Sequence, residues 1–425
     1  MVQLKERRNV TQFPASVSKL NHGLTVIHQY IPATPVVVAD IWVKAGASAE
    51  PPQWQGMAHF LEHMIFKGSR QIKPGMFDEA IENLGGVTNA ATSHDYAHFF
   101  LTTATAYLSE SLPYLAEILL QAAIPDQEFY RERDVVLEEL RYSYDDPDWV
   151  GFQVLCESLY QYHPYGKSVL GDEEHLLSHT PNQMRCFHGT YYQPQNMTVV
   201  IVGGVKEDQA LSLVEQSFSQ FNVPSECPSS LIEAEPPLIE TRRNLLYVPR
   251  LESSRLMMGW IGPGVDNLED AVGLDLLSVL LGGGRCSRLV RELREDKQLV
   301  HHIDSSFSLQ RDSSLFTING IMGGENLERV ENIICNRLHQ LQTTPLTQEE
   351  LVRCQRLLCH DYIFSTETPG QLAGLYGYYQ TIADQAELSL FYPKIIQQLT
   401  PIDLQRLANQ YLCPERYAIT IMQPC

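Results

Sequence analysis

The sequence predicts an α+β fold of two homologous halves, each a mostly antiparallel sheet flanked by helices. Three observations lead there. The stretch at 222–240, NVPSECPSSLIEAEPPLIE, has four Pro with several Ser and Glu, a linker composition that divides the 425 residues into 1–221 and 241–425. Strand and helix patterns then recur in the same order on both sides, and the apolar run MTVVIVGG at 197–204 is answered by YAITIM at 417–422. DQEFYRERDVVLEELRY at 126–142 shares its rhythm of acid, arginine and apolar run with TQEELVRCQRLLCHDYIF at 347–364.

The elements follow in order. Residues 17–30 form two strands about the Asn21-His22-Gly23 turn, and 35–44, PVVVADIWVK, is a β-branched strand. A loop at 45–55 leads to a helix at 56–68 and a second at 74–84, which Gly85-Gly86 stops. Residues 87–104 alternate apolar and polar and predict one strand. Helices at 106–121, 126–144 and 147–162 precede a loop at 163–171, a helix at 182–192, the buried strand at 197–204 and a helix at 207–218. The second half shows strands at 245–247 and 255–261, a helix at 269–281 ending in three glycines, a strand over 305–321, the helix at 347–364 and the last strand. Gly282 to Gly284 is not a phosphate loop, because it follows a helix and lacks the Lys and Ser/Thr that phosphate binding requires.

The chemistry concentrates in GMAHFLEHMIFKG at 56–68. Residues four apart on a helix share a face, with Cβ atoms about 5–6 Å apart, so His59 and His63 can aim at one ion. Glu62 lies at the edge of that face, placed to act as a base on a metal's water without ligating. Met57, Phe60, Leu61, Met64 and Ile65 form the buried stripe, and Gly68 supplies the stop. A catalytic zinc takes three protein ligands and one open position. In the helix at 126–144, Glu132 and Glu139 stand two turns apart on one face, and carboxylates there could ligate the metal and hold the site from behind. Aligned through the glycines, Leu274, Leu277 and Ser278 occupy the places of His59, Glu62 and His63, so the second copy has lost the metal chemistry.

HFLEH is an H-x-x-E-H motif, and ERDVVLEEL follows with Glu139 at 139 − 63 = 76 residues beyond His63. With NAATSHDYAHFF, HPYGKSVLG and YYQPQNMTVVIVGGV, these stretches resemble the pitrilysin family, in its branch of mitochondrial processing peptidases and their bacterial relatives. The resemblance implies Zn2+ held by His59, His63 and Glu139, Glu62 as general base, and Glu132 supporting the catalytic machinery from behind the ligands. It implies a zinc endopeptidase that cleaves extended peptides or unfolded, transit-type polypeptides with metal-activated water, the halves facing each other around a peptide chamber. The alternative is a non-catalytic peptide-binding or scaffold subunit. An exposed edge strand carrying Asn89, Ala90, Ala91 and Phe99 would take the substrate by backbone pairing. In the family's second half an Arg, and a Tyr seven residues on, hold the substrate carbonyl; here these positions are Arg294 and His301, a departure from the pattern. The chain therefore resembles the zinc-bearing subunit of a dimer, with a homologous Arg-Tyr-bearing partner or with a second copy of itself.

Composition narrows the rest. With 31 Lys+Arg against 51 Asp+Glu the net charge is −20, which argues against nucleic acid and anionic membrane surfaces. The opening MVQLKERRNVTQFP lacks the apolar core of a signal peptide, and no stretch approaches ~18 uncharged apolar residues. Nine cysteines without a C-x-x-C suit a reducing compartment, so a cytoplasmic protein is expected. His94 and His98, four apart on the strand expected at 87–104, would lie about 13 Å apart. That is too far for one ion, and they are expected at the surface or against substrate.

Overall fold

A computed structural model describes residues 13–230 and 232–425; positions 1–12, and with them most of the charged opening stretch, lie outside the described residues. The first sheet holds β1 (Ser16–Lys19), β2 (Thr25–Tyr30), β3 (Val36–Val43), β4 (Val87–Thr92), β5 (Ala97–Ala104) and β6 (Met197–Gly203), in the order β1-β2-β6-β3-β5-β4. The second holds β7 (Arg242–Tyr247), β8 (Ser254–Pro263), β9 (His302–Leu309), β10 (Ser313–Met322) and β11 (Ala418–Gln423), in the order β7-β11-β8-β10-β9. Each sheet is antiparallel apart from one parallel pair, β2–β6 in the first and β7–β11 in the second. With β1 set aside the two orders coincide, and this is the duplication in three dimensions.

Fourteen α-helices surround the sheets among the described residues. The first half carries α1 (Met57–Ile65), α2 (Met76–Asn83), α3 (Leu108–Leu120), α4 (Asp126–Tyr144), α5 (Pro147–Leu159), α6 (Glu173–Ser178), α7 (Pro181–Tyr191) and α8 (Glu207–Ser217). The second carries α9 (Leu268–Gly282), α10 (Leu327–Thr343), α11 (Gln348–Phe364), α12 (Pro369–Ala383), α13 (Tyr392–Gln398) and α14 (Pro401–Tyr411), with a π-helical turn at Val290–Asp296. None of the described helices is long and apolar enough to cross a membrane.

Two single strands expected from alternation are hairpins. Residues 87–104 turn at Ser93–Tyr96, where the Ser93 amide donates to the Tyr96 carbonyl at 2.7 Å, and 305–321 lies on β9 and β10, which turn at 310–312. In both, a short polar turn without Gly or Pro leaves the alternation unbroken, so periodicity alone carries the strand through it. His94 is consequently in a turn and His98 in β5. The His98 Nδ1 donates to Asp40 at 3.0 Å, and its ring stacks on Trp42 at 4.3 Å.

Period-2 alternation sorts the strands onto two faces. Val37, Ala39, Ile41 and Val43 join Phe99, Leu101, Val199 and Ile201 in a core against α1, α3 and α7, while Val38, Trp42, Val200 and Val202 face Ala373 and Tyr376 of α12. Helix α12 belongs to the second half and lies across β3 and β6 of the first. The exchange is mutual, since α5 lies on β8 and β11, where Leu155 and Leu159 pack against Met257, Leu315 and Met422.

The α12 contact is close enough to depend on a missing side chain. A Cβ on Gly377 would fall within the buried Trp42 indole, whereas one on Gly374 of the same helix meets nothing within 4 Å. Gly374→Ala is expected to raise the thermal unfolding midpoint through helix propensity, by up to ~1 kcal/mol. Gly377→Ala should lower it by about 1–3 kcal/mol through overpacking. Paired calorimetric scans check the opposite signs.

Candidate metal centre

Helix α1 is buried along Met57, Phe60, Leu61, Met64 and Ile65, each at 0% exposure, which fixes its rotation about its own axis. Its start has no local side-chain cap. Instead the buried Glu50 carboxyl accepts from the Gly56 amide at 2.9 Å and the Ala58 amide at 2.8 Å, satisfying donors that a helix start leaves without partners. Burial holds the Glu50 pKa well above the usual carboxylate range despite those bonds. Gly56 (φ +85°) and Gly171 (φ +74°) bring two backbones into contact, and a Cβ on Gly56 would stand 2.6 Å from the Leu170 carbonyl. This is why the loop at 163–171 ends in glycine. The His179 Nε2 donates to the Gln55 carbonyl at 3.0 Å and ties α6 to the same point.

On this fixed helix, His59 and His63 place their ring centroids 4.8 Å apart, and α4 runs alongside. Glu139 Oε1 lies 3.6 Å from His59 Nε2, and Glu139 Oε2 lies 3.3 Å from His63 Nε2. One ligand atom from each of His59, His63 and Glu139 falls within 4.8 Å of the others. Zinc with bonds of about 2.0–2.1 Å in tetrahedral geometry needs ligand atoms about 3.3 Å apart, so two imidazoles and a carboxylate at 3.3–4.8 Å are the right donor types and would hold such an ion on closing by an ångström or so. Glu132, two turns earlier on α4, accepts from His63 Nδ1 at 3.0 Å; its other oxygen takes Lys67 Nζ at 2.8 Å. With Nδ1 donated to Glu132, Nε2 is the nitrogen of His63 that is left to ligate a metal, and it is the one that faces Glu139. Glu62 stays outside the ligand set. Its carboxylate accepts from the Thr92 hydroxyl at 2.6 Å, and burial raises its pKa above the usual range.

Charge follows from this packing. Burial and the neighbouring His63 push the His59 pKa down to about 4. Burial also works against charge on His63, but bonds from Glu132 and Glu139 outweigh it and lift that pKa to about 9. Glu139 is lowered first by its bond to His63, and Glu132 is lowered by His63 and Lys67 against an opposing effect of burial.

The other expected site residues divide. Asn89, Ala90 and Ala91 lie on β4, an edge strand that pairs with β5 alone, and Asn89 and Ala91 are exposed. Phe99 is a correction: it sits on the internal strand β5 at 0% exposure, paired with Ile41 and Ala90, and packs in the core where no substrate can reach it. Alternation explains the error, because a turn moved Phe99 off the edge strand. Arg294 donates to Glu295 at 2.9 and 2.7 Å, and His301 is exposed ahead of β9. No hydrogen bond or ion pair among the described residues joins either to the histidine cluster. Three contributors escaped sequence reasoning. Lys67 had a signal, being four residues beyond His63 in the stretch expected to be helical, although the helix ends at Ile65 and Lys67 lies in the turn that follows. Thr92 and Glu50 had none, since their roles depend on a hairpin and on a loop returning to a helix start.

Two predictions follow from this arrangement. Glu132→Gln is expected to weaken zinc binding about 10–100-fold, measured by chelator competition, by releasing the His63 ring from its orienting anion. His179 and His188 are buried, with His188 Nε2 donating to the Leu119 carbonyl at 2.7 Å, and burial lowers both pKa values to about 4. A depressed histidine contributes stability that is complete above its unfolded pKa near 6.5 and disappears as pH falls through 4. Urea titrations should therefore show the unfolding free energy falling between pH 6.5 and 4, by on the order of 3 kcal/mol per histidine, with a shallower fall in His188→Gln.

Comparison with known proteins agrees with this architecture. Residues 25–173 match the model for Insulinase (Peptidase family M16), and residues 178–358 match the model for the Peptidase M16 inactive domain. The chain is 30% identical over 411 residues to zinc protease PqqE of Helicobacter pylori, covering 95% of this chain and 92% of that protein. It is 27% identical over 406 residues to the uncharacterized zinc protease YmxG of Bacillus subtilis, covering 95% and 97%. The crystal structure of a protease from Helicobacter pylori superposes with a TM-score of 0.89 at 28% identity, over 96% of this chain and 99% of that one. A Pseudomonas fluorescens structure titled as a peptidase M16 inactive domain has the same fold, with a TM-score of 0.88 at 21% identity, over 97% and 99%. A likeness sustained over nearly the whole length, with the two domain models matched in succession, establishes that the chain belongs to peptidase family M16, the pitrilysin family.

Proposed function

We propose that the protein is a zinc endopeptidase acting on extended peptides or unfolded polypeptides. The observation that carries this reading is the meeting of His59, His63 and Glu139 ligand atoms within 4.8 Å, with Glu62 held just outside them by Thr92. Zinc supplies a Lewis acid that acidifies water and polarises a carbonyl. In this reading Glu62 takes a proton from the attacking water and returns it to the leaving amine, and burial suits it to that exchange by raising its pKa. Glu132 keeps His63 in the tautomer that ligates. The open edge of β4 at 89–91 pairs with substrate backbone, which makes the enzyme tolerant of sequence.

Catalysis in this reading draws on a second chain. Arg294 is engaged with Glu295 and no tyrosine stands seven residues on, so a homologous Arg-Tyr-bearing subunit supplies the contacts to the substrate carbonyl, whereas a homodimer would bring only the same Arg294 and His301. The nine cysteines are free thiols, which supports a cytoplasmic setting. The competing reading, a peptide-binding or scaffold subunit without activity, draws support from the description of the second matched domain as inactive. It leaves the four-residue set of His59, Glu62, His63 and Glu139 without a purpose.

Glu62→Gln separates the two readings. The variant is expected to retain zinc by metal analysis and to lose cleavage of an unstructured quenched-fluorophore peptide by a factor on the order of 10²–10⁴. Undiminished turnover would remove Glu62 from the role of base.

A further inference from the structure

We propose that Thr92 is a positioning residue for peptide cleavage, its hydroxyl holding the Glu62 carboxylate off the metal ligands and in line for proton transfer. This rests on the reading of Glu62 as the base. Thr92 is the last residue of the edge strand β4, and its Oγ1 donates to Glu62 Oε2 at 2.6 Å. Glu62 precedes His63 on α1, and an untethered carboxylate beside a dication is free to coordinate it and close the position that water needs.

The tether works only if its own anchor is rigid, and the turn that follows Thr92 is braced from several directions. The Ser93 carbonyl accepts from the Ala47 amide at 3.0 Å, and the His94 carbonyl accepts from the Ser48 amide at 2.8 Å and the Ser48 hydroxyl at 2.6 Å. Gly46 makes this approach possible, since a Cβ there would land on the Ser93 carbonyl. The His94 Nε2 donates to the Lys167 carbonyl at 2.9 Å. Asp95, 5% exposed, accepts from the Tyr165 hydroxyl at 2.7 Å and from the Arg311 amide at 3.0 Å. Arg311 lies in the β9–β10 turn, so the half without the metal motif reaches the base through Asp95, the turn and Thr92. The strand that pairs with substrate is thereby the strand that orients the base.

The test uses the full-length zinc-loaded protein and three variants, Thr92→Val, Thr92→Ser and Glu62→Gln, assayed on the same unstructured peptide. Valine keeps the branched shape of threonine and removes the donor. Thr92→Val is expected to lower kcat about 10–100-fold, the scale of a small misplacement of a reacting group, with KM, zinc content and unfolding midpoint unchanged. Thr92→Ser should restore most of the loss. Unchanged kcat in Thr92→Val, a matching rise in KM, or a loss of zinc in step with activity would overturn the proposal. If the valine variant does not fold, Thr92→Ala is read by the same criteria. An inactive Glu62→Gln beside a fully active Thr92→Val overturns this inference alone, whereas an active Glu62→Gln overturns the reading beneath it.

Discussion

Everything at the metal centre depends on one imidazole being held between two carboxylates of a single helix. Seven residues on an α-helix span two turns, about 10.5 Å, so Glu132 and Glu139 leave the same face of α4 with room for a histidine between them. His63 occupies that space, with Nδ1 toward Glu132 and Nε2 toward Glu139. The spacing works because α1 and α4 are locked together by packing, most directly where the rings of Phe60 and Phe129 meet with centroids 4.6 Å apart. A slip of one turn along either helix would break both contacts to His63 at once. The apolar stripe of α1 therefore sets the geometry of the metal-ligand cluster as much as stability.

The second half shows what the framework becomes without the metal. Its helix α9 follows β8 as α1 follows β3, and packs on β9 as α1 packs near β4. There Leu274 and Leu277 are fully buried in the core, and Ser278 turns its hydroxyl back to the Asp275 carbonyl. Apolar residues in such positions avoid the desolvation cost that an ion cluster there would carry. The two copies are not independent. Helix α5 covers the sheet of the second half and α12 covers the sheet of the first, and each half would expose an apolar sheet face without the other. Loss of the metal from one copy thus leaves its structural duty intact.

Much of this was legible before any coordinates. The H-x-x-E-H spacing, the apolar stripe around it and the pair Glu132 and Glu139 are local periodic signals, and helical geometry alone brings each set onto one face. The predicted span of α4, 126–144, coincides with the helix observed, because a proline precedes it and the acidic and apolar residues keep step. What was illegible depends on distance in sequence or on turns without a signature. The hairpins at 93–96 and 310–312 lack Gly, Asn-Gly or Pro, so β4 and β5 read as one strand and Phe99 was assigned to the edge instead of the core. Thr92 and Glu50 act across 30 and 6–8 residues through side chain and backbone bonds that no period encodes. The exchange of α5 and α12 is likewise a property of three-dimensional closure, since neither helix carries a periodic signal that names the sheet it covers.

The electrostatics of the centre make sense only for a positive charge at its middle. Glu132 and Glu139 bring two negative charges to His63, Lys67 returns one positive charge to Glu132, and Glu62 waits beyond the ligands. The two carboxylates lift the His63 imidazole to about 9 against its burial, while His59, which burial lowers first and the neighbouring His63 lowers further, falls to about 4. The two histidines differ because only one is bracketed. His59, His63 and Glu139 would hold a dication there, which would supply the positive charge that the carboxylates face, with Nδ1–H of His63 kept toward Glu132. The same bracket that orients the ring thus makes the field in which a cation is bound, so a single helix-to-helix registration determines both the shape of the centre and its charge.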